Sequence, residues 1–259
     1  MTASTALRVP RITVLFWVVK ALSTAMGEAA SDFLVRVFPP VLAVAIGFVI
    51  FVVALALQFT RGRYVAWAYW LAVCAVGVFG TMVADVLHVG FGVPYAVSAP
   101  LFAVVLAVVF VVWYRVERTL SIHTVDTTRR EVFYWLTVVS TFALGTAVGD
   151  LTATTFSLGY LVSAIVFAAL ILVIALLYGV VHLGAVISFW AAYVLTRPFG
   201  ASVADWLGKP PALGGVGVGD GTVALVFLLA IIGLVAYLQV SRRDMQAAPP
   251  SSDPVVQEN

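Results

Sequence analysis

Charge, cysteine and histidine are what this sequence has least of. Only 10% of its 259 residues are charged, against about 25% in soluble domains, while 63% are hydrophobic and mean hydropathy is +1.11. That balance excludes an ordinary soluble domain and indicates an integral membrane protein. A net charge of +2 gives no ground for a nucleic-acid partner. A single cysteine, Cys74, excludes an intramolecular disulfide and, inside an apolar run, reads as a small core hydrophobe. The three histidines, His88, His123 and His182, stand too far apart for a metal motif. No H-E-x-x-H, G-x-S-x-G or Walker pattern occurs, and "GGVGVGDG" (214–221) lacks the following K-[ST] of a phosphate loop. Neither an enzyme nor a cofactor is expected.

What is present is a series of long apolar runs. Eight reach the roughly 20 residues that a spanning helix needs, at about 12–35, 39–60, 64–88, 94–115, 132–154, 158–181, 183–207 and 220–241. Turn-rich breaks such as "VFPP", "HVGFGVP" and "FSLGY" separate them. The polar connection 115–133 has room for a short surface helix. The expected organisation is one membrane domain over 1–243, then a disordered cytoplasmic tail over 244–259. Arg8, Arg11, Arg61, Arg63, Arg115, Arg118, Arg129, Arg130, Arg242 and Arg243 fall on one side of these runs, and only Arg36 and Lys209 on the other. The positive-inside rule therefore places both termini in the cytoplasm. Lys20, in the middle of the first run, argues against a cleaved secretory signal.

The odd-numbered runs repeat one pattern. Trp17, Trp70, Trp135 and Trp190 are each followed after ten residues by a glycine (Gly27, Gly80, Gly145, Gly200) and after fifteen by an aspartate (Asp32, Asp85, Asp150, Asp205). A small residue, Ser31, Ala84, Gly149 or Ala204, precedes each aspartate. "YAVSAPLFA" (95–103) matches "YLVSAIVFA" (160–168) in the second half of the unit. The unit is thus a pair of helices present four times, at about 12–60, 64–115, 132–181 and 183–241. Two helices return the chain to its starting side, so the four copies share one orientation. The expected fold is all-α: eight transmembrane helices as four parallel two-helix repeats, in a pseudo-symmetric bundle lined by the odd helices.

The spacing carries chemistry. Tryptophan to aspartate covers about 22 Å of a roughly 30 Å hydrocarbon core, with the tryptophans read as interfacial anchors. Gly27, Gly80, Gly145 and Gly200, each with its small partner four residues on, form close-packing strips. One turn before each aspartate stand Glu28, Thr81, Thr146 and Ala201; one turn earlier, Thr24, Gly77, Phe142 and Arg197. Within the spans five acidic groups, Glu28, Asp32, Asp85, Asp150 and Asp205, face two basic ones, Lys20 and Arg197, a balance of −3. Intramembrane charges are costly, at about 2.5–3.5 kcal/mol each on insertion scales, so these carboxylates should share protons or a cation. Oxygen ligands, with Thr81 and Thr146 to complete the shell and Asp85 and Asp150 as metal candidates, favour hard cations such as Mn²⁺, Mg²⁺ or Ca²⁺. Lys20 and Glu28 break the symmetry in repeat 1 and Arg197 in repeat 4. Closure of the bundle would pair Glu28 with Arg197, with Lys20 and Arg197 as ion-pair or gate residues. Pro198 is expected to kink its helix.

"KALSTAMGEAASDFL", "GTMVADVL", "TFALGTAVGDL" and "TRPFGASVADWL" resemble the repeats of a bacterial multi-pass family of uncharacterised membrane-anchored proteins, built of four copies of a repeat of unknown function. The resemblance covers nearly the whole chain outside the tail and implies the bacterial cytoplasmic (inner) membrane. The "GE" and "GD" pieces are also similar to acidic-glycine motifs of cation and manganese exchangers, although the E-x-G-D-[KR]-[ST] order is absent. Two functions follow as expectations. One is a secondary transporter or exporter of a hard, Mn²⁺-like cation, coupled to protons through the carboxylates. The other is a non-transporting membrane scaffold, or a subunit that binds a lipid or protein partner. Expected partners are the lipid bilayer, a small cation or protons, and further copies of the chain in a homo-oligomer.

Overall fold

The computed structural model describes residues 6–246, and within them the chain is helical, with no strand. Eight helices follow one another: α1 (Val14–Val37), α2 (Pro40–Arg61), α3 (Ala66–Asp85), α4 (Tyr95–Glu117), α5 (Thr128–Asp150), α6 (Tyr160–Val180), α7 (Ala185–Gly208) and α8 (Asp220–Ser241). Local signals set the ends. The Thr13 side chain caps α1 by accepting from the Phe16 amide, and Thr127 caps α5 by accepting from that of Arg130. Pro40 opens α2, and Gly62 closes it in the left-handed region at φ +62°. The 115–133 connection holds one 3₁₀ turn, Ile122–Thr124, where a surface helix was expected. Ser121 and Thr124 bond to nearby backbone there, which favours turns over helix.

The odd helices touch in a closed cycle, α1 to α3 to α5 to α7 and back to α1. Each even helix leaves its sequence neighbour and packs mainly on the next odd helix: α2 on α3, α4 on α5, α6 on α7, and α8 on α1. The outer faces are apolar and exposed, as at Phe48 and Ile50 on α2, Leu172 and Leu176 on α6, and Leu225 and Leu229 on α8. Among the described residues six helices are long and apolar enough to cross a membrane: α2, α3, α4, α5, α6 and α8. The two outside that group, α1 and α7, bury polar side chains instead, including Lys20, Thr24, Glu28, Arg197 and Asp205.

Two kinds of contact recur around the cycle. A Cβ on Gly27 would stand 2.7 Å from the backbone of Gly77. One on Gly80 would meet Phe142 at 2.8 Å, and one on Gly145 would meet Arg197 at 2.3 Å. The last, on Gly200, would meet Thr24 at 2.0 Å. In each case the glycine of one repeat receives the residue at one register, eight before the aspartate, of the next. Toward the other end, Phe16 packs on Trp70, Tyr69 on Trp135, Tyr134 on Trp190 and Phe189 on Trp17, with ring centroids 5.6, 5.6, 6.1 and 5.7 Å apart. Each such pair contributes about 0.5–1.5 kcal/mol beyond burial. These tryptophans are therefore not interfacial anchors. Trp70, Trp135 and Trp190 are buried in the main core and Trp17 is packed against it, each in contact with an aromatic ring of a neighbouring odd helix.

Both ends of the described residues lie at the aromatic end. Residues 6–13 cross that end as an extended strap: Arg8 donates its amide to Val125 (2.9 Å), Tyr64 donates to Leu7 (2.8 Å) and Arg11 to Asp244 (2.7 Å). The Arg8 guanidinium reaches buried Glu131 at 2.7 Å, and Gln58 donates to the same carboxylate at 2.9 Å. Asp244 and Gln246, at the start of the expected tail, bond to Tyr64 and to Pro10. Residues 247–259 lie outside the described residues.

Candidate ion-binding site

Lys20, Thr24, Glu28 and Asp32 recur every four residues on α1 and so share one face. That face looks into the bundle, where Lys20, Thr24 and Glu28 are almost wholly buried. Opposite stands Arg197 of α7, with no solvent exposure. Its Nη2 shares its two hydrogens among three acceptors, Glu28 Oε2 at 2.5 Å, the Thr146 hydroxyl at 2.7 Å and the Thr81 hydroxyl, and its Nη1 donates to the Thr24 carbonyl at 3.2 Å. One guanidinium thus ties all four odd helices together. The planar fork of arginine suits this task, since an ammonium has neither the span nor the fixed geometry. Arg197 fits because Gly145 leaves it room (the Cβ clash at 2.3 Å) and Phe142 offers a ring face 5.3 Å from Cζ.

Beyond this tie, toward the ends of the odd helices, lie the aspartates. Carboxylate oxygens of Glu28, Asp32 and Asp205 all lie within 4.8 Å of one another. Lys209, just past the end of α7, donates to Asp32 and stands 3.7 Å from Asp205. Burial works against the charge of Lys209, but Asp32 and Asp205 outweigh it and hold the ammonium above its ordinary pKa. Asp220, at the start of α8, pairs with Arg36.

Asp85 and Asp150 occupy the same register on α3 and α5, and each is followed by a single π-helical turn, Val86–Gly90 or Leu151–Thr155. Such turns gather at functional sites. Among the described residues neither aspartate has a basic side chain within salt-bridge distance. Asp85 lies in the field of Glu28, Asp150 and Asp32, and Asp150 interacts with the Tyr95 hydroxyl. His88 stacks on Tyr95 at 3.6 Å and bonds to the Val93 carbonyl at 2.9 Å.

The residues singled out from sequence therefore fall into three groups. Glu28, Asp32 and Asp205 come together. Asp85 and Asp150 belong to the same acidic end but not to that three-carboxylate cluster. Thr81 and Thr146, expected as ion ligands, turn their oxygens to Arg197. Among the described residues Lys20 makes no ion pair; its Nζ sits 4.0 Å from the ring centroid of Phe142 and 4.2 Å from that of Tyr193. Gly27, Gly80, Gly145 and Gly200 lie at the close contacts given above. Sequence reading missed Lys209, Tyr95 and the aromatic doublets. The doublets had a legible signal, "FW", "YW", "YW" and "FW" at one register of the four repeats.

An all-helical chain assembled from four similar helix pairs is the class this describes. The chain belongs to the family described as Repeat of Unknown Function (DUF347), which it matches at residues 15–64, 68–119, 133–182 and 188–244, one helix pair in each. Among curated proteins and among solved structures, none matches the chain.

Proposed function

We propose that this protein is a multi-pass membrane protein of the bacterial inner membrane, with eight spanning helices in four parallel repeats and pseudo-fourfold symmetry. Both termini are cytoplasmic. In support, the arginine-rich connections share the end where Arg11 bonds to Asp244. The cyclic glycine and aromatic contacts favour parallel repeats around one axis, and lipid covers the apolar even helices. In this reading α1 and α7 cross the membrane as well, shielded from lipid by their neighbours.

Its function is secondary transport of a hard, Mn²⁺-like cation, with protons as the coupled species. The observation that carries this is the meeting of Glu28, Asp32 and Asp205 within 4.8 Å, with Glu28 and Asp205 buried and Asp32 partly exposed. Three carboxylates this close repel one another. Arg197 beside Glu28 and Lys209 beside Asp32 and Asp205 bring two positive charges to three negative ones, so one further proton or cation charge balances the site. Oxygen ligands select hard ions. Asp85 and Asp150 extend the acidic end as an approach. Arg197 closes the axis beneath it and releases Glu28 when the path opens.

A second reading has its own support. Arg197 engages Glu28, Thr81 and Thr146 so fully that the polar centre serves equally to fix the closure of a non-transporting scaffold or partner-binding subunit. Flux of Mn²⁺, Mg²⁺, Ca²⁺ and protons in proteoliposomes separates the two. Asp32→Asn/Asp205→Asn and Asp85→Asn/Asp150→Asn should abolish flux in folded protein if the site transports. Absence of flux for every ion in well-folded wild-type protein sinks the transport reading and leaves the scaffold.

A further inference from the structure

Arg61, Arg63, Arg242 and Arg243 stand where α2 leads into α3 and where α8 ends. They divide into two kinds. Arg61 lies over the Trp67 ring at 4.7 Å and Arg243 over the Tyr237 ring at 5.7 Å, and both rings are exposed. Exposed tryptophan and tyrosine beside arginines, at the ends of apolar helices, mark the headgroup level of a bilayer. Arg63 and Arg242 have neither a ring nor a carboxylate as partner among the described residues.

Those two arginines line one cleft of about 140 Å³ between the start of α3 and the end of α8, with Tyr64, Gln239 and Asp244. Pockets for drug-sized ligands run to about 300–1,000 Å³, so this one suits a single small polar group. Its wall sets two conditions on that group. First, α3 begins at Ala66 with no side-chain cap, which leaves its first amides free to meet an anion. Two guanidiniums and an uncapped helix start together select a phosphate. Second, Asp244 is only 3% exposed; its Oδ2 accepts from the Tyr64 hydroxyl, and its Oδ1 has no hydrogen-bond partner among the described residues. A buried carboxylate oxygen without a donor is costly, and a bare anion beside it makes it costlier. The group that satisfies the whole wall carries a phosphate and, next to it, a hydrogen-bond donor.

We infer that the cleft holds the headgroup of an anionic phospholipid, a phosphodiester bearing a free hydroxyl. The phosphate meets Arg63, Arg242 and the start of α3, and the hydroxyl donates to Asp244 Oδ1. Two arginines and one aspartate leave one positive charge in excess, matched by the single negative charge of a phosphodiester. Depth favours a lipid as its source. Ala66 and Leu238 of the cleft are the chain neighbours of exposed Trp67 and Tyr237, and basic pockets at a cytoplasmic membrane face take lipid headgroups. Asp244 also holds the strap through Arg11, so the bound lipid joins strap, α3 and α8. The inference rests on the membrane reading above and is independent of transport.

The test titrates full-length protein in detergent with phosphatidylglycerol, phosphatidylmethanol and phosphatidylcholine, and counts retained lipid by native mass spectrometry. Phosphatidylmethanol has the charge of phosphatidylglycerol without its hydroxyls; phosphatidylcholine has neither hydroxyl nor net charge. Wild type should retain one phosphatidylglycerol in preference to both others. Arg63→Gln/Arg242→Gln should weaken that binding by about tenfold or more, at about a factor of five for each arginine near an anionic headgroup. Arg115→Gln/Arg118→Gln removes the same charge from the same end, outside the cleft, and should bind like wild type. All four arginines are exposed, and thermal unfolding checks that both variants fold. Equal loss in the two variants makes the attraction general and overturns the site. Equal retention of phosphatidylmethanol removes the Asp244 contact and overturns the headgroup assignment. Displacement by equimolar glycerophosphoglycerol, the same headgroup without chains, overturns the lipid in favour of a soluble phosphodiester. The membrane reading fails by a different result: protein that does not float with phosphatidylglycerol–phosphatidylcholine vesicles is not embedded, and the lipid assignment falls with it.

Discussion

Arg197 and Glu28 meet across the bundle at 2.5 Å, from the fourth repeat to the first, both buried. The pair closes the cycle at the one junction where the chain cannot continue, since α7 and α1 lie at opposite ends of the sequence. Breaking one side of such a pair leaves an unpaired buried charge and costs about 3–5 kcal/mol. Arg197→Met and Glu28→Gln should each lower the unfolding temperature in detergent strongly, and the double variant should recover much of the loss. Arg197→Lys should not rescue, because one ammonium cannot serve Glu28, Thr81, Thr146 and the Thr24 carbonyl together. Equal stability of Arg197→Lys and wild type would remove the tie as the source of closure.

The glycine contacts predict a sharp contrast. In Gly27→Ala the new methyl would meet Gly77 backbone at 2.7 Å, and backbone on both sides leaves no side chain to move aside. Overpacking of this kind costs about 1–3 kcal/mol. Gly179→Ala on α6 and Gly233→Ala on α8 would meet nothing within 4 Å. There alanine's better helix propensity, about 1 kcal/mol in soluble helices, should leave stability equal or raised. Unfolding curves of the three variants side by side check the contrast. A tolerated Gly27→Ala contradicts close approach of α1 to α3.

Periodicity and repeat spacing made much of this fold legible. They indicate eight helices, four copies, close-packing glycines and, from the residues that break the repeat, a Glu28–Arg197 pair. Spacing along one helix tells which residues share a face, but not which helix that face meets. Hence the packing of α2 on α3 rather than on α1 was invisible in the sequence, as was the capture of Thr81 and Thr146 by Arg197. Composition misplaced the tryptophans, because a tryptophan near a helix end looks the same whether it faces lipid or core. The aromatic residue before each one carried the missing information. Lys209 was legible only as a charge outside the runs; its place among the carboxylates follows from how α7 ends.

At the aromatic end the strap should respond to pH. Burial pushes the Asp244 carboxyl above its ordinary value, and the Tyr64 hydroxyl pulls the other way. A carboxyl raised in the folded state favours folding in acid, and its contribution is lost as pH rises through the folded value, above about 4. The amide of Arg11, bonded to the Asp244 carbonyl at 2.7 Å, reports on this contact. Its hydrogen-exchange protection, corrected for intrinsic rate, should increase as pH falls from 7 towards about 4. Tyr64→Phe removes the group that favours the carboxylate and should steepen the trend. Protection that does not change with pH would detach Asp244 from the strap's stability.

Lys209 offers the most direct reading of the carboxylate site, because it is already a cation held there. Asp32 and Asp205 keep its ammonium pKa above the ordinary lysine value against the effect of burial. Its stabilising contribution is thus full at neutral pH and is lost only as pH rises beyond the usual lysine range. Lys209→Met leaves Glu28, Asp32 and Asp205 with one positive charge fewer beside them. Two unit charges 4 Å apart interact by about 4 kcal/mol at an effective dielectric of 20, and tenfold in affinity needs only about 1.4 kcal/mol. Even a fraction of that interaction should tighten Mn²⁺ binding by about tenfold or more. The ion-free variant should be less stable than wild type, and Mn²⁺ should restore it in proportion to its occupancy. A scaffold predicts the loss without the rescue. Equilibrium Mn²⁺ binding and unfolding of Lys209→Met with and without the ion distinguish the two, since in a scaffold the lysine is a structural counter-charge, whereas in a transporter it competes with the cargo.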